Sequence, residues 1–215
     1  MMLQTWLRRY EECWRDPAYR VRILFSTTLF LLSMVFIFNA IGYANIRASN
    51  HVTDIVLSNI PAFNVGWLFV GGTLLFFFTA LALTFFDPRR IPFTLSALAL
   101  FFFIRGIFIS ITHLAPFPVE STFDVATVFN RIFNGGDQFF SGHTGAPFLF
   151  ALLFWNHLRL RYIFLGWSIF FATIVLLGHL HYSIDVLAAF FITYSIYRMA
   201  VALFPKLFEL FKKAT

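Results

Sequence analysis

Apolar stretches long enough to cross a bilayer recur along this 215-residue chain, each closed by charge, proline or glycine. Crossing the hydrocarbon core takes roughly 20 residues of helix. Six stretches approach that length, from about Val21 to Tyr43, Val65 to Phe86, Ile91 to Thr112, His143 to Leu158, Tyr162 to Gly178 and Ser183 to Phe204. A backbone in lipid must satisfy its own N–H and C=O groups, which a helix does within one segment. The expectation is an all-α polytopic membrane protein, a six-helix transmembrane bundle. Composition agrees: 60% of the residues are hydrophobic and 12% charged, too little polar surface to coat a soluble globule of this size. No repeat and no low-complexity linker divides the chain. Two regions suffice, an N-terminal segment over 1–20 and one membrane domain over 21–215.

The net charge of +6 does not imply nucleic acid, because the basic residues are sorted by loop. Arg8, Arg9, Arg15, Arg20 and Arg22 stand at the first span. Arg89 and Arg90 join the second to the third, Arg159 and Arg161 join the fourth to the fifth, and Arg198, Lys206, Lys212 and Lys213 close the chain. Threaded in order, 13 of the 16 Lys and Arg fall on one side, with Arg47 and Arg131 opposite and Arg105 inside the third span. The positive-inside rule then places both termini in the cytoplasm. The segment before Val65, the loop from His113 to Gly142 and the turn from Gly178 to Tyr182 face the exoplasmic side. The first span is too long for a signal-peptide core and no small-residue cleavage pattern follows it, so it stays attached. Ahead of it, Leu3, Trp6, Leu7, Tyr10 and Trp14 recur at helical spacing among charges, the pattern of an interfacial amphipathic helix or an ordinary solvated one. Cys13 cannot form an internal disulfide, being the only cysteine.

Two short polar constellations sit at the exoplasmic ends of these spans. "GGDQFFSGHTG", residues 135 to 145, opens the fourth span with Asp137, Ser141, Gly142, His143 and Thr144. Ser141 is a good capping residue, and the small Gly142 after it leaves backbone N–H groups at a helix start, where an anion such as phosphate is favoured. Pro147, near that start, forfeits a donor at little cost. "GHLHYSIDV", residues 178 to 186, opens the sixth span. His181 and Asp185 are four apart and share a helix face. A carboxylate on one imidazole nitrogen fixes the tautomer and leaves the lone pair of the other available as a nucleophile. His143 and His181 lie on the same membrane face, so one can attack phosphorus while the other handles the proton of the leaving or entering oxygen, and neither step needs a metal or other cofactor. Singly, each histidine is as readily an interface hydrogen-bonding group. Jointly, at two helix starts on one face, they point to a site, because ionisable groups at membrane depth are costly. Metal ligation by His143, His179, His181 and Asp185 is the alternative, weakened by irregular spacing and the lack of a nearby cysteine.

"GGDQFFSGHT" and "HYSIDVLAAFF" resemble the two catalytic motifs of the sphingomyelin synthase branch of the type-2 phosphatidic acid phosphatase superfamily. "RGIFISITHLAPFP", from Arg105 to Pro118, is similar to that branch's arginine-led motif, and the likeness runs from about the second span onward. The resemblance implies a six-helix membrane enzyme with an exoplasmic site in which His181 is the nucleophile, Asp185 its orienting partner and His143 the acid and base. Asp137 and Arg105 match motif positions, Arg105 within reach of a phosphate oxygen, with Ser141, Gly142 and Thr144 beside the phosphate. The helical domain that precedes the first span in some relatives has no counterpart in about twenty residues, and the proline-rich motif after the first span is matched only loosely by Asp54 and Pro61. Ordinary phosphatases of the superfamily carry Lys-x6-Arg-Pro and an arginine six before the second histidine. Here no Lys-x6-Arg-Pro occurs and that position is Val175. With fewer cationic clamps, a singly charged phosphodiester suits the site better than a phosphomonoester. The expected activity is transfer of a phosphocholine or phosphoethanolamine head group from a glycerophospholipid in the bilayer to ceramide or a similar lipid alcohol, with diacylglycerol as the acceptor in reverse. A lipid phosphatase or phospholipase C-like hydrolase is the runner-up, and a channel or carrier a more distant one.

Overall fold

The computed structural model describes residues 2–118 and 137–214. Its helices in chain order are α1 Met2–Arg15, α2 Pro17–Arg47, α3 Gly66–Phe85, α4 Ile91–Ile111, α5 Gly142–Leu153, α6 Leu158–Leu177, α7 Ser183–Leu203 and α8 Pro205–Lys212, with a 3-10 turn at Pro88–Arg90 ahead of α4. Expectations that fall on 119–136, including the exoplasmic placement of Arg131 and the role of Gly135 and Gly136, lie outside the described residues.

Proline sets several of these boundaries. Its fixed φ suits a helix's first position, where the missing N–H would have no partner anyway. Pro17, Pro88 and Pro205 each open an element there. The carboxylates of Asp16 and Asp87 cap two of them, accepting from Ala18 N at 2.9 Å and Arg89 N at 3.0 Å. Pro147 differs. It is the sixth residue of α5, so the helix forgoes the backbone bond from 147 to 143, not a spare donor as the sequence implied.

Among the described residues, five helices are long and apolar enough to cross a membrane: α2, α3, α4 with its leading turn, α6 and α7. They mark an integral membrane protein. The expected fourth span, His143–Leu158, is helical only from Gly142 to Leu153, about 18 Å of rise, because the chain turns at 154–157 and begins a new helix at Leu158. Such a helix need not meet lipid along its length. Leu149, Phe150, Ala151, Leu152 and Leu153 are all buried, and α5 packs chiefly against α6 and α7, with smaller contacts to α3 and α4.

Small residues let the backbones approach, the usual device where lipid supplies no hydrophobic drive between helices. α2 runs along α4 with Ser26, Ser33, Ala40 and Ala44 buried, and Ser26 and Ser96 share a hydroxyl hydrogen bond of 3.0 Å. Gly145 of α5 lies so close to α7 and α4 that a Cβ there would stand 2.8 Å from Thr193 Oγ1 and 2.9 Å from the Phe101 ring. Phenylalanines fill the larger gaps. Phe101, Phe140, Phe150, Phe154, Phe164 and Phe211 meet in edge or tilted ring contacts within one buried cluster.

At one end of the bundle α1 is pinned to the α3–α4 turn. Trp6 Nε1 and Tyr10 Oη donate to Phe85 O at 3.2 and 2.8 Å, and Arg9 pairs with Asp87 at 3.3 Å. Arg90 reaches Ala214 O at 2.7 Å and Leu83 O at 2.9 Å. The N-terminal helix, the α3–α4 turn and the C-terminus therefore share one end, the basic one.

Candidate active site

The opposite end is built from the start of α5, the start of α7 and the last turns of α4. Ser141 caps α5, its Oγ accepting from Thr144 N at 3.3 Å, while its own backbone N–H donates to Asp185 O at 3.1 Å. Gln138 Nε2 donates to Leu180 O at 3.1 Å. The segments opening α5 and α7 are thus joined by backbone and side-chain bonds across more than forty residues of chain. They form one surface.

On α7, Asp185 is fully buried. Its Oδ2 lies 3.3 Å from His181 Nδ1 and accepts from Tyr182 N at 3.1 Å, the second bond completing the helix cap. Asp185 Oδ1 is buried without a hydrogen-bond partner among the described residues. On α5, the His143 ring lies between aromatic faces, 4.4 Å from Phe69 of α3 and 5.8 Å from Phe171 of α6 by ring centroids. Ser168 Oγ of α6 donates to Thr144 O at 2.8 Å, fixing the turn that carries His143.

Arg105, buried in the last third of α4, reaches across to the start of α5. Its Nη2 bonds Asp137 Oδ2 at 2.5 Å and Asp137 O at 3.2 Å, and its Nε bonds Phe140 O at 3.3 Å. Gly142 makes room for it, since a Cβ there would stand 3.0 Å from Arg105 Nε. Burial works against the Asp137 charge, yet the Arg105 guanidinium, with His181 and His143 nearby, holds its pKa down at about 2. Burial first, then the nearby His181 and Arg105 charges, lower the His143 pKa below the usual imidazole value. Arg105, Asp137, His143, His181 and Asp185 lie at this one end, and Ser141, Gly142 and Thr144 form the helix start beside them.

Among the described residues no three His, Cys, Asp or Glu side chains are grouped to hold a metal ion. His179, in the metal alternative, sits at a turn with φ of 52° and packs its ring 5.4 Å from Phe117. Phe139 and Phe140 also have positive φ, 77° and 31°, costly for side-chain-bearing residues. Ring contacts anchor both, Phe139 on Phe108 and Phe140 on Phe101 and Phe108.

Asp54 is the site's least legible member. Its Oδ2 accepts from Ser183 N, the first residue of α7, at 2.7 Å, while Oδ1 accepts from Val56 N and Leu57 N at 2.8 and 3.1 Å. Burial opposes its ionisation, but these N–H donors bring its pKa below the usual carboxylate value. The carboxylate therefore caps, from 129 residues away, the helix that carries His181 and Asp185. Tyr182 adds a second strap, its hydroxyl donating to Ala115 O at 2.8 Å and accepting from Val52 N at 3.3 Å. Only long-range contacts reveal either role.

Residues 134–202 match the family described as PAP2 superfamily C-terminal. The matched stretch covers about a third of the chain and includes both polar constellations, but not Arg105. No curated protein and no solved structure matches the chain. The match supports a likeness to the PAP2 superfamily over the stretch that carries both constellations.

Proposed function

We propose that the protein transfers a phospho-alcohol head group, phosphocholine or phosphoethanolamine, from a glycerophospholipid to ceramide or a similar lipid alcohol on the exoplasmic face of the membrane. The observation that carries this reading is the convergence of two histidines and a buried arginine at two helix starts bonded to each other.

The bond from Asp185 to His181 Nδ1 fixes the ring so that Nε2 carries the lone pair. His181 Nε2 attacks phosphorus and the bond from phosphorus to the diacylglycerol oxygen breaks. His143 gives that oxygen its proton. The acceptor hydroxyl then yields its proton to His143, its oxygen attacks phosphorus, and the P–N bond breaks to restore His181. Each half uses one proton, carried by His143 and returned to it. Asp185 Oδ1, buried and without a donor among the described residues, keeps negative charge beside the ring when the imidazole becomes cationic. Arg105 and the Gly142 N–H at the start of α5 hold the non-bridging phosphate oxygens.

Asp137 already neutralises most of what Arg105 offers, and position 175 contributes a valine. That leaves little positive charge for a doubly charged monoester and favours a diester. Product analysis by thin-layer chromatography tests the reading: purified protein with labelled phosphatidylcholine or phosphatidylethanolamine, with and without ceramide, gives labelled sphingolipid and diacylglycerol. Free phosphate from phosphatidic acid as the sole product would replace this reading with the phosphatase. Head-group phosphate released to water at the same rate with or without ceramide would replace it with a phospholipase C.

A further inference from the structure

At the basic end of the bundle, α5, α7 and α8 line an open-mouthed cavity of about 400 Å³ that the chemistry above does not use. It exists because α5 stops at Leu153, short of that end, leaving space that Trp155, Asn156, Tyr194, Tyr197, Arg198 and Lys212 surround. Asp185 and Arg198 are thirteen residues apart on α7, so about 20 Å of helix separates the two sites.

The cavity's lining divides by chemistry. Its rim is cationic and rich in hydroxyl, indole and amide groups. Arg198 Nη1 bonds the Tyr194 hydroxyl at 3.4 Å, and Lys212 Nζ pairs with Glu209 at 2.6 Å while lying 5.3 Å from the Phe208 ring centroid. Arg161 stacks on Trp155 at 4.9 Å and adds a third positive charge nearby. The rest of the wall is apolar, with Phe148 and Leu152 contributed by α5. A polar, positive rim beside an apolar wall, set among helices of membrane-crossing length, has the two-part character of a lipid.

We propose that this cavity binds an anionic phospholipid from the leaflet at the basic end, with its phosphate at Arg198 and Lys212 and the first carbons of one acyl chain against Phe148 and Leu152. The volume holds a head group and glycerol but not two chains, so the remaining hydrocarbon lies along the bundle's surface. Charge sets the selectivity. A phosphate gains charge-assisted bonds from the guanidinium and ammonium, whereas a zwitterionic head group adds a cation that those same groups repel. The Glu209 carboxylate competes with the lipid phosphate for Lys212.

The test uses the full chain in neutral detergent, titrated in parallel with dioctanoyl phosphatidylglycerol, dioctanoyl phosphatidylcholine and glycerol 3-phosphate, reading Tm and tryptophan fluorescence. Phosphatidylglycerol should raise Tm saturably and change the fluorescence, with both effects shifted at least tenfold higher in concentration in R198Q and in K212Q, and to lower concentration in E209Q. In W155F the Tm rise should persist and the fluorescence change should vanish. The proposal is overturned if phosphatidylcholine acts equally, if glycerol 3-phosphate reproduces the shift, if W155F keeps the fluorescence change, or if R198Q and K212Q both bind as the wild type does. None of these readouts depends on turnover, so the proposal stands or falls apart from the head-group transfer reading.

Discussion

At the residue scale the site depends on a part-buried ion pair whose value lies in geometry. Arg105 is buried and Asp137 partly exposed, so removing Asp137 leaves a buried charge uncompensated, at a loss of up to about 3 kcal/mol. Asp137→Asn and Arg105→Gln should each lower Tm, whereas the double variant should recover most of the stability and none of the turnover. A double-mutant cycle read by both assays checks this. The sign of the pH dependence follows from the same pair. Asp137 titrates lower in the folded protein than its ordinary value of roughly 4, so the pair's contribution is complete above that value and is lost as pH falls toward 2. Between pH 5 and 8 the pair stays intact. The histidine and aspartate identities were legible in sequence because chemistry restricts them to few residue types. The left-handed Phe139 and Phe140 were not, since burial against Phe101 and Phe108 stabilises a backbone that local preference disfavours.

At the element scale the two helix starts must hold their relation to within tenths of an ångström. Gly145→Ala places a methyl 2.8 Å from Thr193 Oγ1 and 2.9 Å from Phe101, two rigidly held neighbours, and overpacking of this kind costs about 1–3 kcal/mol. The variant should lower Tm and turnover together. Asp54→Asn tests the cap at α7 differently, replacing one acceptor oxygen of a buried carboxylate with a donor that meets the Ser183 N–H or those of the 54–57 turn. It should reduce kcat by about tenfold or more, with α7 still helical by circular dichroism. A catalytic rate equal to wild type would remove Asp54 from the site. Five of the expected spans were read within a few residues because hydropathy over some twenty positions is a strong signal. α5 was read too long because an apolar run says only that residues avoid water. Protein or lipid can exclude it equally, and after the buried Phe154 the chain turns through exposed Trp155, Asn156 and His157.

At the scale of the whole molecule, the basic end of the bundle and the end that carries the candidate site are opposite, joined by α4 and α7. α5 is sheltered by its neighbours, and the ring of the His143 it carries packs between Phe69 and Phe171. His143→Ala should lose about 10²–10⁴-fold in turnover, the usual weight of a general acid and base, and remain folded. The central claim is that a phosphorus atom passes through His181. Brief incubation of the purified protein with phosphatidylcholine labelled in its phosphate, without acceptor, followed by alkaline quench and peptide mapping, examines that step directly. The account predicts a phosphocholine adduct on His181, absent from His181→Ala and discharged on adding ceramide. Full turnover by His181→Ala, or label on another residue alone, would contradict it.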